Sequence, residues 1–207
     1  MKITQITHFS QEELLQRLRN VTLLHTEKTK PIYIYQQADI SLSHTPVKDI
    51  FPSQLYQLEE SIQRAEALQN ALAEHNLDIF NLNGYLSYTT DQSPDIFTLL
   101  PIIIEYQKEA DQRIFPLIAD GFHRVALAKK QNRETIQTIS IRNVREEYPY
   151  PGLPNPHGWE DIISVDSVPQ KQDKRRWRFP IETAYNYYRN FNSAFENVGK
   201  PREDAKK

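Results

Sequence analysis

Between Ser53 and His75 the apolar residues Leu55, Leu58, Ile62, Ala65, Leu68 and Leu72 recur every three or four positions, on one face of a helix. That spacing predicts a helix that begins at Ser53, with Asn76 as its stop. A shorter helix is expected over residues 10–20, where Ser10 and Glu13 form a capping box ahead of Leu14, Leu15 and Leu18. Elsewhere the period changes to two. Ile32, Ile34, Ile40 and Leu42 alternate with polar or aromatic neighbours and predict strands on either side of Gln36-Gln37, followed by an extended segment from Thr45 to Pro52. Asn83-Gly84, set between LDIFNL and YLSY, predicts a hairpin turn, and Asp91 to Asp95 a loop.

The middle of the chain is the clearest. PIIIEYQ (Pro101 to Gln107) and RIFPLIA (Arg113 to Ala119) predict two strands joined by a polar turn. At Asp120-Gly121 the apolar run stops, and FHRVALAKKQN predicts a helix ending near Asn132, with Lys129 and Lys130 in its last turns. Thr135 to Val144 alternates again and predicts a closing strand. Six of the 13 prolines then fall between Arg145 and Pro180. Tyr148, Tyr150, Trp159, Ile162 and Val165 make this stretch too apolar for a solvated linker, so an irregular but ordered arm is expected. From Pro180, the residues Ile181, Tyr185, Tyr188, Phe191 and Phe195 predict a last amphipathic helix, ahead of Gly199 and a charged tail. The expected organisation is a lead-in over 1–29, an α/β (α+β) domain over 30–145 with an inserted hairpin or loop at 77–99, and an arm with a terminal helix over 146–207.

Composition narrows the chemistry. The 207 residues include no cysteine and five glycines, where average usage gives roughly fourteen. Neither a Walker loop nor a dinucleotide fingerprint can be written from Gly84, Gly121, Gly152, Gly158 and Gly199. Thiol catalysis, disulfides and thiolate metal sites are excluded. A formal charge of −2 and a pI near 6.3 argue against a wholesale nucleic-acid surface and leave room for a local basic patch. No apolar stretch suits a signal peptide or a membrane span, so a cytoplasmic protein with no membrane partner is expected.

Candidate chemistry concentrates in Ala119-Asp120-Gly121-Phe122-His123-Arg124, at a strand-to-helix junction. A helix N-terminus offers backbone N–H groups and the positive end of the dipole to an anion. Arg124 is placed to grip two phosphate oxygens, His123 to donate a hydrogen bond or shuttle a proton, and Gly121 to let the backbone turn. The plainer reading makes Asp120 an N-cap, Gly121 a turn, and His123 and Arg124 a solvated first turn. A second candidate is the basic run Lys171, Lys174, Arg175, Arg176 and Arg178 around Trp177. It reads as a nucleic-acid grip with a stacking indole, or as a solvated stretch. Asp91 and Asp95 suit a Mg2+ ion with a bound phosphate, or a turn around Pro94. His8, His25, His44, His75 and His157 lack zinc-ligand spacing. The terminal aromatic stripe packs on the core or joins two copies in a homodimer.

From TPVKDIF and LYQLEESI through PIIIEY to RIFPLIADGFHRVALAKKQN and IQTISIRNV, roughly Thr45 to Val144, the chain resembles the ParB/sulfiredoxin superfamily. That superfamily includes the N-terminal domains of partition proteins, sulfiredoxins and free-serine kinases. The resemblance implies a mixed sheet with packed helices and a Gly-x-His-Arg box at the strand-to-helix turn that binds a nucleotide phosphate; Asp120, Gly121, His123 and Arg124 match it. Sulfiredoxins place a cysteine before the His-Arg pair, and Phe122 stands there, which excludes sulfinic acid reduction. DGFHR is most like the free-serine kinases, whose glutamate after the first strand acts as base; the corresponding stretch here is Pro52-Ser53-Gln54. A glutamine cannot take up a proton, so Asp49 or Glu59 substitutes, or serine is not phosphorylated. Partition proteins continue into a helix-turn-helix region, and this chain into a proline-rich arm. The resemblance therefore implies a phosphotransferase that uses ATP, ADP or CTP with Mg2+ on a small hydroxylated substrate. A nucleic-acid-binding module built on Lys174 to Trp177, or a non-catalytic regulatory domain, is the alternative.

Overall fold

The computed structural model describes residues 1–24, 30–170 and 173–198; His25, Lys171 and Gly199 lie outside them. The elements run β1 (Ile3–Phe9), α1 (Gln11–Leu18), β2 (Thr22–Leu23), β3 (Asp39–Pro46), β4 (Tyr56–Leu58), α2 (Glu59–Ala73), β5 (Tyr85–Thr90), β6 (Ser93–Leu99), β7 (Ile102–Lys108) and β8 (Ile114–Asp120). They continue with α3 (Phe122–Lys130), β9 (Thr135–Arg142), β10 (Ile163–Val165), α4 (Ile181–Ala184) and β11 (Arg189–Asn190). The fold is mixed α/β.

The central sheet has the order β3-β9-β7-β8, with β7 and β9 parallel and the outer pairs antiparallel. Successive strand side chains point to opposite faces, so a strand buried on both sides reads as an unbroken apolar run. PIIIEYQ is that run. Ile102 and Ile104 join one core cluster with Ile62 and Leu72 of α2 and Val125 and Leu127 of α3. Ile103 joins a second with Leu14 and Leu18 of α1, Ile139 and Ile141 of β9, and Phe191 and Phe195. The sheet is thus the middle of three layers, with a second sheet, β1-β5-β6, beside it.

The capping box forms at its first half, with the Glu13 backbone N–H donating to Ser10 Oγ at 3.1 Å. Four expectations are corrected. The helix expected from Ser53 begins at Glu59, because the backbone before it is claimed by the arm: Leu55 N donates to Lys174 O at 2.9 Å, and β4 pairs in parallel with β10. Asn76 does end the helix in left-handed backbone, at φ 58°. The hairpin turn is Asp91-Gln92 and the supposed loop becomes β6, with Thr90 facing Ser93. Gly84 serves a close approach instead, since at φ +122° a Cβ there would sit 2.1 Å from the Phe9 carbonyl oxygen. Around Ile32 and Ile34 there is one bridge, Tyr33 to Thr22, and then a turn.

The terminal helix is cut to α4. Tyr188 instead accepts a hydrogen bond from Leu24 N at 2.8 Å, and Arg189 pairs with Leu23. The aromatic stripe splits accordingly: Phe191 and Phe195 enter the second core, while Tyr185 and Tyr188 surround Trp177. Among the described residues no helix is long and apolar enough to cross a membrane.

Candidate functional site

β8 ends at Asp120, Gly121 turns the chain at φ +90°, and α3 starts at Phe122. Only glycine fits this corner, because a Cβ would lie 2.9 Å from both Arg124 Nη2 and Ile102 Cγ1. Gly121, and not Asp120, occupies the N-cap position. The Asp120 carboxylate instead meets Arg124 Nη2 at 3.0 Å, and Arg124 Nη1 donates to the Leu100 carbonyl at 2.5 Å. With its side chain only 9% exposed, Arg124 is neither a solvated residue nor an open phosphate grip. It is a brace that ties the β6–β7 link to the first turn of α3. Burial lowers the pKa of Arg124, and Asp120 opposes that shift. Burial likewise raises the phenol of Tyr88 on β5, offset by the positive charge of Arg124.

His123 is half-buried, its ring edge-on to Phe122 at 5.2 Å. Burial, followed by the charges of Lys174 and Arg64, pushes its pKa down to about 4. Its neighbour Phe122 stacks on Trp159 at 5.6 Å and 10° between planes. Trp159 is pinned in turn, its Nε1 donating to the Ile50 carbonyl at 2.8 Å while the Lys129 ammonium sits 5.3 Å from the ring centroid. The arm therefore forms one wall of the site. Trp159 and Arg64 had no sequence signal to mark them: one is a lone aromatic among prolines, the other a helix arginine paired with Glu60 at 2.7 Å.

Neutral His123 has a consequence for stability. Its folded pKa lies below the ordinary histidine value near 6.5, so the unfolded chain binds the extra proton between those limits. Full stability is present above about pH 6.5 and falls as the pH drops toward 4, by an amount on the order of 2–3 kcal/mol. A urea midpoint measured across that window should lose most of this slope in His123→Gln.

Asp49 is exposed at the end of a short 3-10 turn, Val47–Asp49, and Glu59 opens α2; both elements pack against α3. No hydrogen bond joins either carboxylate to His123 among the described residues. Gln54 is 6% exposed, and its carbonyl accepts from Asn155 Nδ2. Asp91 accepts from Lys2 N at 2.7 Å and Asp95 from Ser93 Oγ at 2.9 Å. Among the described residues no three His, Asp or Glu side chains gather as a metal site.

The basic run is not one surface. Arg175 and Trp177 make isolated β-bridges to Gln54 and Gly152, Arg175 is buried and Trp177 is half-buried. Arg175 is 4% exposed and donates to Ser53 Oγ, to Tyr150 Oη at 3.3 Å and to Tyr188 Oη at 2.8 Å. Trp177 packs on Tyr185 and Tyr188. Arg178 makes a two-pronged pair with Glu109. Lys174 and Arg176 alone of this set are exposed, and Lys174 is also the residue whose charge reaches His123.

A mixed α/β chain that carries a Gly-x-His-Arg box on a glycine-turned strand-to-helix corner is ParB-like. The family model of the ParB CE domain matches residues 13–163, and the chain belongs to that family. Comparison with curated proteins gives no match. The matched stretch holds the box, Arg64 and Trp159; Lys174, Arg175 and Arg189 come from the residues that follow it.

Proposed function

We propose that this ParB-like protein binds a nucleotide through its phosphates at the N-terminal end of α3. The observation that supports the reading is the glycine-turned corner at Gly121, braced from behind by Arg124, with His123 in the first turn of α3 and the charges of Lys174 and Arg64 acting on it. A neutral imidazole keeps one N–H to donate and one nitrogen to accept, while Lys174, and Arg64 on exchanging its solvent-exposed pair with Glu60, supply the charge a phosphate needs. Mg2+ would arrive on the nucleotide, since such ions are held mainly by phosphates and one or two carboxylates. Phosphoryl transfer to a small hydroxylated substrate is the finer form of the reading, with Asp49 or Glu59 as the base because their elements pack on α3. Nucleic-acid binding has less support, because Arg175 is buried and Arg178 is paired.

A thermal-shift series with ATP, ADP and CTP, with and without Mg2+, tests it. At least one nucleotide should raise the melting temperature by mass action. Lys174→Gln should weaken that nucleotide about three- to tenfold, the worth of one charged contact at a partly exposed site. A flat response to all three nucleotides would sink the reading.

A further inference from the structure

Asn83-Gly84 turns no hairpin, and its two residues sit in opposite surroundings. Asn83 is exposed between buried Leu82 and Tyr85, and its carboxamide makes no hydrogen bond among the described residues. Gly84 is buried, and at φ +122° it stands where a Cβ would meet the Phe9 carbonyl oxygen at 2.1 Å. A side chain on the residue after an asparagine shields that residue's backbone nitrogen from the asparagine carboxamide. Every other asparagine of the chain is followed by a residue with such a side chain. At Gly84 the close approach to β1 forbids it. The comparable pair Asp120-Gly121 is protected in another way, because its carboxylate is held by Arg124 at 3.0 Å and is a poor target for a nucleophile.

We propose that Asn83 is a self-modification site, which converts spontaneously to aspartate and isoaspartate in the folded protein, and that the isoaspartate loosens the junction of β1 and β5. The Gly84 backbone nitrogen loses its proton to base and attacks Cγ of Asn83. The bond from Cγ to the side-chain nitrogen breaks, and ammonia leaves with a proton from water. Water then opens the cyclic imide: attack at Cγ gives aspartate, and attack at the backbone carbonyl carbon gives isoaspartate, whose main chain runs through the side chain and is one methylene longer. The chain has no slack for that methylene. Phe9 faces Tyr85 in the β1–β5 register, and their rings stack at 4.3 Å and 5° between planes. The Tyr85 hydroxyl accepts from Arg17 and donates to Glu13 at 2.8 Å, which ties α1 to the same point. Displacing Gly84 therefore disturbs β1, β5 and α1 together.

The full chain, held folded in mildly alkaline buffer beside a sample unfolded in urea, tests this by peptide mapping with isoaspartyl methyltransferase labelling. Asn83 should convert before any other asparagine. Its rate in the folded chain should stay within about tenfold of the unfolded rate, as at a site that opens locally at little cost, and should rise with pH. Asn83→Gln should abolish the labelling at this position. The isoaspartyl form, separated by ion exchange, should melt at least about 2–4 °C below the parent. Asn83→Asp, which carries the same charge on an ordinary backbone, should melt with the parent and so separates the added charge from the added methylene. Conversion about a hundredfold or more slower in the folded chain than in urea would show that the fold holds Asn83 closed and would overturn the site. An isoaspartyl form that melts with Asn83→Asp would overturn its effect on the β1–β5 junction.

Discussion

Arg189→Met should cost this protein about 5 kcal/mol, the upper end of the range for stranding a buried ion, and lower its melting temperature by about 10–20 °C. Arg189 and Glu105 are 1% and 0% exposed, and two guanidinium nitrogens of Arg189 donate to the two carboxylate oxygens of Glu105. The Tyr35 hydroxyl donates to the same carboxylate at 2.8 Å. Removing the arginine leaves a charge in the core with one neutral donor. It also strips the carbonyls of Tyr148 and Tyr187 of donors held at 2.9 and 2.6 Å. The companion substitution separates the cost of a stranded charge from the worth of the pair. Glu105→Leu with Arg189→Met removes both ions, and such exchanges are often neutral or stabilising, so the double variant should melt well above the single one. Thermal unfolding followed by circular dichroism on the two variants decides it. A double variant no more stable than Arg189→Met would locate the loss in the carbonyl contacts and not in the stranded carboxylate.

That pair also explains what could not be read from the chain. The apolar runs PIIIEYQ and RIFPLIAD, the strand-to-helix corner and the period of α3 are local, and each appears where its pattern puts it. The terminal stripe Ile181, Tyr185, Tyr188, Phe191, Phe195 has good helical spacing too, yet it breaks after Ala184. Its backbone is drawn out to pair with β2, and Arg189 reaches a carboxylate 84 residues away. Leu55 and Leu58 fail as helix positions for a like reason, because β10 pairs with residues 56–58 across more than a hundred residues of chain. Propensity is a weak prior that such tertiary pairing overrides. The basic run misleads by composition: KRRWR reads as a charged surface, but Arg175 is buried, Trp177 and Arg178 are half-buried, and Lys174 and Arg176 stay exposed.

The candidate site follows the same division. Its scaffold, Gly121 at positive φ between β8 and α3, was legible because glycine is scarce and the apolar run ends there. Its walls were not. Trp159 and Lys174 reach the box only because the arm is clasped to the core, Arg175 by hydroxyls and Arg189 by Glu105. Weakening the clasp should therefore weaken the site, although neither clasp arginine touches His123.

Arg124 separates a brace from a ligand-binding group, and two substitutions there should behave differently. Arg124→Ala leaves the Leu100 carbonyl and the Asp120 carboxylate without the partners that now satisfy them, and opens a void beneath the first turn of α3. A loss of about 3–5 kcal/mol is expected, as for other buried charged partners removed singly. Gly121 packs its backbone against the same guanidinium, so the corner that presents His123 should shift with it. Arg124→Lys keeps the charge but has no fork, and can serve Asp120 or Leu100 but not both at their present angles. It should fold with an intermediate urea midpoint and bind nucleotide within a fewfold of the parent, because the proposed phosphate contacts are His123, Lys174 and Arg64 and not Arg124. Should Arg124→Lys keep parental stability yet lose nucleotide binding about a hundredfold or more, a direct bidentate grip would be the better account of this residue.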